Sequence, residues 1–347
     1  MKNNPDLKSY QQTSSNWRQT LRTNAFKTHA VVLTYFLIYI ALGLLIDTYI
    51  YAGAYPQNSI GQIFQAVITF QLIPKVTFVT VAIALISLLA VFAYHDKLML
   101  LGTEYREITP TTAKTPQEVE LYHVVEEMKI AASLSYMPKV YLIEADYMNA
   151  FASGYSEKSA MVAITCGLME KLDRAELQAV MAHEMSHIRH LDIRLTLMAS
   201  VLSNLLLIMV DILFFNALFS GDRRSNNSNQ LLLIIVLLRY LLPLVTVLLM
   251  LYLSRSREYM ADAGAVELTR NNEPLARALL KIRGDHQNNQ ERYAKMYRNT
   301  KHEGVRREAY IFDPIQAGVE PVASLSDMFS THPSIEKRLK ALGFVEK

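Results

Sequence analysis

Cysteine is almost absent from this sequence: Cys166 is the only one among 347 residues. A lone cysteine cannot form an internal disulfide, so no oxidised framework holds the fold. Charged residues are also few, at 19% of the chain, and the net charge is only +3. So small a charge offers no broad basic surface and argues against nucleic acid as a partner. Cys166 itself lies in an apolar, strand-like run, where we expect buried filler rather than a metal ligand.

Hydrophobic residues, by contrast, make up 51% of the chain and gather in four blocks. About 20 helical residues cross the ~30 Å hydrocarbon core of a bilayer, so each block predicts a membrane span. A cleaved signal peptide is a weaker reading of the first block, because its apolar run is too long. A buried helical pair in a soluble core is the alternative for the last two blocks. The predicted spans cover about residues 30–50, 76–94, 195–219 and 231–253.

The distribution of basic residues predicts the orientation. Five of them precede the first span, whereas Lys75 is the only one in the loop after it. By the positive-inside rule the amino terminus should face the cytoplasm, and two hairpins return the chain to that side. The predicted organisation is a basic cytoplasmic segment at 1–29, a transmembrane hairpin at 30–94, a cytoplasmic module at 95–192, a second hairpin at 193–253 and the rest of the module at 254–347.

Two ionisable residues, Asp211 and Arg239, interrupt the third and fourth apolar blocks. An unpaired charge at membrane depth is costly, and such residues usually pair or line a cavity. Both lie equally far from the hairpin midpoint near Ser225, so an antiparallel hairpin brings them to one depth. We therefore predict an ion pair between them. Arg239 could instead reach the interface or a lipid headgroup.

Turn and capping signals predict a small α+β module between the hairpins. Thr115-Pro116 should begin a helix that runs to about Leu134. A second capping pattern at Asp173 should begin another helix. Residues 285–308 are polar and predict a flexible surface segment. The remaining predicted elements are strands at Val140–Ile143, Asn149–Gly154 and Met161–Thr165 and a last helix at Ser334 to Leu342.

The stretch His183-Glu184-Met185-Ser186-His187 has the pattern H-E-x-x-H. On a helix, two histidines four residues apart project from one face and can share a metal ion. The glutamate between them lies next to the open metal position. The stretch therefore predicts His183 and His187 as zinc ligands and Glu184 as the general base of a hydrolase.

A catalytic zinc needs a third protein ligand. In one large class this is a histidine six residues after the second, with a glycine between; here Ile193 and His190 hold those positions, which excludes that class. The alternative is a glutamate on a second helix, with an aspartate four residues later that orients a ligand histidine. We predict Glu258 and Asp262 for these roles. The fold class is then a mainly α membrane protein with four transmembrane helices and a small α+β catalytic domain, zincin-like and of the gluzincin type.

Four separated motifs together resemble the HtpX family of membrane-bound zinc metalloproteases, and more distantly the CAAX prenyl proteases. They are H-E-M-S-H, S-R-x-R-E-x-x-A-D, N-A-F-A-S-G and the terminal T-H-P-S-I-E-K-R. The resemblance implies a zinc endopeptidase of the cytoplasmic membrane, with one Zn²⁺ per chain, that acts in stress-related quality control of membrane proteins. It implies misfolded or damaged membrane proteins and unfolded proteins as substrates and the lipid bilayer as surroundings.

Further residues complete the predicted site. His332 is a candidate oxyanion donor, although a histidine that merely caps the last helix is the alternative. Arg338 could hold a carboxylate, but we expect a solvated arginine on a helix face. The strand that contains Asn149, Ala150 and Phe151 is predicted to bind substrate along its edge, unless it is internal to the sheet.

Two rival functions remain open at this point. A peptidase that acts on lipidated carboxyl termini would need a large chamber in the membrane, for which four spans are few. A catalytically silent membrane scaffold is expected to have lost ligands, whereas the three predicted ligands and the base are all present in the sequence.

Overall fold

The chain forms two compact units in a computed structural model that describes residues 7–13, 16–99, 105–154, 156–219, 226–299, 309–314 and 332–347. One unit comprises residues 29–92 and 196–252 and is helical. The other comprises residues 1–28, 93–195 and 253–347 and contains the sheets and the predicted site.

The helical unit is made of long apolar helices. Three of the described helices are long and apolar enough to cross a membrane, over Trp17–Ala54, Met198–Phe219 and Leu232–Thr269. The prediction of four such helices is therefore corrected to three among the described residues. The predicted second span lies in a helix whose described apolar part, Lys75–Ser87, is shorter. The helices that enter this unit are α1 (Trp17–Ala54), α2 (Ile60–Ile68), α3 (Lys75–Met99), α7 (Asp192–Phe219) and α8 (Asn226–Thr269).

Within the helical unit, Arg239 Nε lies 3.1 Å from Asp211 Oδ1. The guanidinium also stacks over the ring of Phe214, 4.0 Å from its centroid. A second polar contact joins α1 and α3, where Asp47 accepts hydrogen bonds from the main-chain N–H groups of Val76 and Thr77. These amides begin α3 and lack partners within the helix, so Asp47 satisfies them at the favourable end of its dipole.

The other unit is built on a four-stranded sheet with the order β2-β3-β5-β4. Strands β3 and β5 are parallel, and the outer pairs are antiparallel. Every residue of β4 and β5 is buried, which explains why these strands read as unbroken apolar runs. The strands are β2 (Tyr105–Ile108), β3 (Lys139–Ile143), β4 (Ala150–Ser153) and β5 (Met161–Thr165).

Helix α6 (Arg174–Arg189) crosses this sheet and packs against β4, α4 (Pro116–Ala131) and α9 (Glu273–Asn288). Its start is a capping box, in which Asp173 and Glu176 each bind the other's main-chain N–H. Glu176 is fully buried and also receives hydrogen bonds from α9, which ties the two helices together. Local capping and tertiary packing thus agree on where the H-E-x-x-H helix begins.

The ends of the chain meet in a small antiparallel sheet. Strand β1 (Tyr10–Gln12) pairs with β6 (Phe344–Glu346), directly after the last helix, α11 (Ile335–Leu342). Gly343 ends that helix with a φ of 95°, a left-handed conformation that glycine adopts at little cost.

Two sequence expectations are corrected here. The predicted flexible segment, residues 285–308, is helical as far as residue 299, and residues 300–308 lie outside the described residues. Its described part belongs to α9 and α10 (Gln290–Asn299), because His286, Tyr293 and Tyr297 repeat at helical spacing and are buried. Cys166 is not buried filler: it begins α5 (Cys166–Lys171), is partly exposed, and its thiol donates to Glu144 at 3.2 Å.

Candidate metal centre

Helices α6 and α8 approach each other closely beside the predicted site. A Cβ added to Gly264 would lie only 2.1 Å from Ser186 Oγ, so glycine is needed for this approach. Ser186 belongs to the H-E-x-x-H stretch, and Gly264 follows Asp262 by two residues. The contact therefore sets the distance between the two helices that carry the predicted ligands.

The three predicted ligands converge on one point. His187 Nε2 lies 3.1 Å from His183 Nε2. Glu258 places one carboxylate oxygen 3.7 Å from His183 Nε2 and the other 3.5 Å from His187 Nε2. Among the described residues, these three side chains form a group whose ligand atoms all lie within 4.8 Å of one another. Two imidazoles and a carboxylate are the ligand set of a catalytic zinc.

Each histidine is oriented by a carboxylate on its other ring nitrogen. His183 Nδ1 lies 3.0 Å from Asp262 Oδ1, and His187 Nδ1 lies 2.8 Å from Asp192 Oδ2. A proton held on Nδ1 leaves the Nε2 lone pair free, which fixes the tautomer that binds a metal. Asp262 lies where the predicted orienting role requires it. Asp192 takes a second one that we did not predict.

The donor set fits a zinc ion. Both Nδ1 protons face carboxylates, so the two Nε2 lone pairs point at each other with no proton between them. Glu258 Oε2 is likewise buried and lacks a hydrogen bond of normal geometry among the described residues, although His332 and Arg338 lie 3.3 and 3.4 Å from it. Unpaired buried acceptors are costly, and a cation that all three groups share satisfies them together.

Glu184 is fully buried, and both of its carboxylate oxygens lack a hydrogen bond of normal geometry to the described residues. Burial raises the pKa of Glu184 well above its usual value, and the charge of Glu258 raises it further. The charge of Arg338 and the N–H of Ala152 oppose this rise. The carboxyl group is therefore a strong proton acceptor for its residue type.

His332 and Arg338 flank Glu258 on its open side. His332 Nδ1 lies 3.3 Å from Glu258 Oε2, and Arg338 Nη1 lies 3.4 Å from the same oxygen. Burial lowers the pKa of His332, but the charge of Glu258, the hydrogen bond to Glu258 and the charge of Asp313 together outweigh burial and hold that pKa above its usual value. Arg338 is not on a solvated helix face: it is 1% exposed and makes two hydrogen bonds to Asp262, at 2.9 and 2.6 Å.

Strand β4 is the last strand of its sheet, and Asn149 directly precedes it. The side chain of Asn149 is buried and points to residues 310–313, which run along the outer edge of the strand. Phe151 pairs there with Tyr310, and Ala150 accepts a hydrogen bond from Ile311. The predicted substrate-binding strand thus lies at the sheet edge, with part of the chain's own backbone against it.

Asp192 and Arg257 belong to the site, although the sequence did not single them out for it, and Arg338 takes the carboxylate-holding position that we considered but did not favour. Arg257 forms a buried ion pair with Asp192. Asp192 lies beyond the end of α6 and is reached through Leu191, whose φ of 53° is left-handed. Arg257 and Arg338 each stand inside a quoted motif, beside Glu258 and in T-H-P-S-I-E-K-R, so the signal for both was present.

The chain is similar to known peptidases. The family model described as peptidase family M48 matches residues 116–344. Protease HtpX homologues of Helicobacter pylori and Helicobacter acinonychis are each 38% identical over 94% of this chain and 98% of their own length. The HtpX homologue of Limosilactobacillus reuteri is 40% identical over 64% of this chain and 72% of its own. The crystal structure of S. mikatae Ste24p gives 16% identity and a TM-score of 0.47, covering 96% of this chain and 68% of that one.

Proposed function

The chain belongs to peptidase family M48, and we propose that it cuts the cytoplasmic regions of misfolded or damaged membrane proteins as part of membrane-protein quality control. It is an HtpX-like zinc metalloprotease and a multi-pass membrane protein. The observation that supports this function best is the meeting of His183, His187 and Glu258 at one buried point beside Glu184.

Zinc held by the three ligands would activate a water molecule and polarise the scissile carbonyl. Glu184 would take a proton from the attacking water on its carboxylate and later deliver one to the leaving amine. Burial raises the pKa of Glu184, so its carboxylate would accept the proton more readily than an exposed glutamate. His332 is oriented by its contact with Glu258 and would donate a hydrogen bond to the oxyanion that develops on the substrate.

Substrate would lie along β4 in an extended conformation, bound by the main chain of Ala150 and Phe151 and by the side chain of Asn149. Main-chain hydrogen bonds of this kind are nearly blind to sequence, because every residue carries the same groups. Broad specificity follows, which suits a protease that removes unfolded segments of many different proteins.

The proposal places the amino terminus and the zincin-like domain in the cytoplasm. Support comes from the basic residues before the first span. We also propose four membrane spans, the second of which covers residues 76–94 in α3. Among the described residues, three helices are long and apolar enough to cross a membrane. This orientation can be tested by cysteine labelling on a Cys166→Ala background. Single cysteines are introduced at Ser59 and at Glu126 and are labelled in intact and in opened cells. In intact cells, only the cysteine at position 126 should be protected from the label.

Digestion of a loosely folded protein in detergent tests the activity itself. We expect cleavage with zinc, none with a chelator, and none with Glu184→Gln, whose zinc content should equal that of the wild type. Glu170→Gln, at an exposed glutamate of α5, is the matched control and should stay active. Full activity of Glu184→Gln with bound zinc excludes Glu184 as the base. A chain that binds zinc but never cleaves would be a membrane scaffold instead.

A further inference from the structure

Residues 310–313, here called the inner segment, lie along the outer edge of β4. Tyr310 forms an antiparallel bridge with Phe151. The main-chain N–H of Ile311 donates to the carbonyl of Ala150 at 2.9 Å. The segment thus joins the sheet through one isolated bridge and one further main-chain hydrogen bond, on the edge where a substrate is expected to bind.

The inner segment is held by its backbone. Asn149 Nδ2 donates to the carbonyl of Phe312 at 3.0 Å, and Asn149 Oδ1 accepts from the N–H of Phe312 at 3.3 Å. Arg338 Nη1 donates to the carbonyl of Ile311 at 2.7 Å. The main-chain polar groups of Ile311 and Phe312 are therefore all paired by residues of the site. Any extended peptide carries the same groups and could replace them.

The inner segment also lies next to the metal ligands. Arg338 Nη1, which binds the carbonyl of Ile311, is 3.4 Å from Glu258 Oε2. Phe312 and His332 line one cavity of about 370 Å³. One guanidinium and one cavity therefore connect the inner segment to the centre where the peptide bond is cut.

Side chains anchor the inner segment in place. Its four residues are at most 2% exposed. Tyr310 Oη lies 3.2 Å from Tyr147 Oη, and the ring of Phe312 packs 4.7 Å from that of His286. A segment buried this well on the peptide-binding edge excludes a second strand from the same hydrogen-bonding groups.

We propose that the inner segment is an intramolecular occluding segment, which covers the substrate-binding edge of β4 until it is displaced. This inference rests on the proposed function, since it names what competes with substrate at that same site. A tethered competitor acts at a high effective concentration. The apparent affinity for substrate is then reduced by the fraction of molecules in which the inner segment has left β4.

A reversible lock tests the proposal. Residues paired in an antiparallel bridge have Cα atoms roughly 4.5–5.5 Å apart, a separation that suits a disulfide. In a Cys166→Ala background, the double variant Phe151→Cys and Tyr310→Cys should lose at least tenfold in cleavage of an unstructured peptide on oxidation, and regain it on reduction. Each single variant is its control and should not respond to oxidant. A fully oxidised double variant that still cleaves at its reduced rate overturns the proposal.

Loosening the inner segment should have the opposite effect. Ile311→Pro removes the N–H that binds Ala150, and we expect kcat/KM for an unstructured peptide to rise about tenfold, mainly through a lower KM. An unchanged or lower kcat/KM, with zinc content and thermal unfolding as in the wild type, contradicts occlusion. If Ile311→Pro fails to fold, the disulfide experiment with Phe151→Cys and Tyr310→Cys tests the proposal by itself. If the wild type and Ile311→Pro both bind zinc and neither cleaves, the proposed function fails rather than the occlusion.

Discussion

Asp192 Oδ2 lies 2.8 Å from His187 Nδ1, so a residue beyond the end of the H-E-x-x-H helix orients one of its two metal ligands. Asp262 does the same for His183 from α8. Both histidines are thus held through their outer nitrogens by carboxylates that are themselves paired with buried arginines, Arg257 and Arg338. The metal centre is therefore organised in two layers, with ligands inside and charge pairs around them.

Asp192→Asn should weaken zinc binding roughly 10–100-fold, because the amide is a poorer acceptor for the imidazole proton and leaves Arg257 unpaired in a buried place. Competition with a chelator at constant pH measures this. Asp173→Asn is the control: asparagine still caps α6, and zinc affinity should be unchanged. Equal zinc affinity in Asp192→Asn and the wild type would show that His187 needs no such support.

Gly264→Ala should destabilise the unit that contains the metal centre by about 1–3 kcal/mol, because the new methyl group overlaps Ser186. Ser186→Gly in the same chain should restore part of the loss by removing the obstructing Cβ. Thermal unfolding of the zinc-loaded protein in detergent measures both changes. Gly61→Ala is the control, since nothing lies within 4 Å of its added Cβ. An undiminished melting temperature for Gly264→Ala would mean that the helices can separate without cost.

Acid should destabilise the protein partly through Glu118, on α4. Hydrogen bonds from Arg106, at 3.0 and 2.6 Å, lower the pKa of Glu118 to about 2, against the opposing effect of burial. A carboxyl group with a lowered folded-state pKa adds stability above its unfolded pKa, and that stability is lost as pH falls from about 4.5 towards 2.

Denaturant unfolding at a series of pH values tests this contribution. Glu118→Gln should lower the free energy of unfolding by on the order of 1–3 kcal/mol at neutral pH. This difference from the wild type should become smaller as the pH falls. The exposed Glu126→Gln, on the same helix, should show neither effect. A difference that is constant across pH would mean that the charge of Glu118 contributes nothing.

The ion pair of Asp211 and Arg239 invites a double-mutant cycle. Asp211→Ala leaves Arg239 without its carboxylate at membrane depth and should lower stability in detergent or lipid. Adding Arg239→Ala should restore part of this, because the unpaired charge is gone, although the stacking on Phe214 is lost as well. A double variant less stable than the two single effects combined would argue against the pair.

Several elements were readable from local sequence alone. The capping box at Asp173 and the spacing of His183 and His187 both act within a few residues, and the structure reproduces them as α6. Strand Met161–Thr165 matches its predicted bounds. The prediction of a flexible segment was wrong for residues 285–299, because a polar composition was interpreted as flexibility. These residues include few apolar side chains, but three buried rings, those of His286, Tyr293 and Tyr297, lie at helical spacing and hold two helices in place.

The sequence by itself predicted the group of His183, His187 and Glu258, the position of Glu184 beside it and the apolar blocks, because each depends on residue type and on short, regular spacing. Only the tertiary structure decided what surrounds them. Arg338 reaches Asp262 across 76 residues, and Asn149 reaches Phe312 across 163. Such long-range contacts leave no periodic pattern in the sequence. A polar residue in the sequence looks the same whether its side chain is solvated or forms a buried pair, and only the packing of the folded chain distinguishes these two environments.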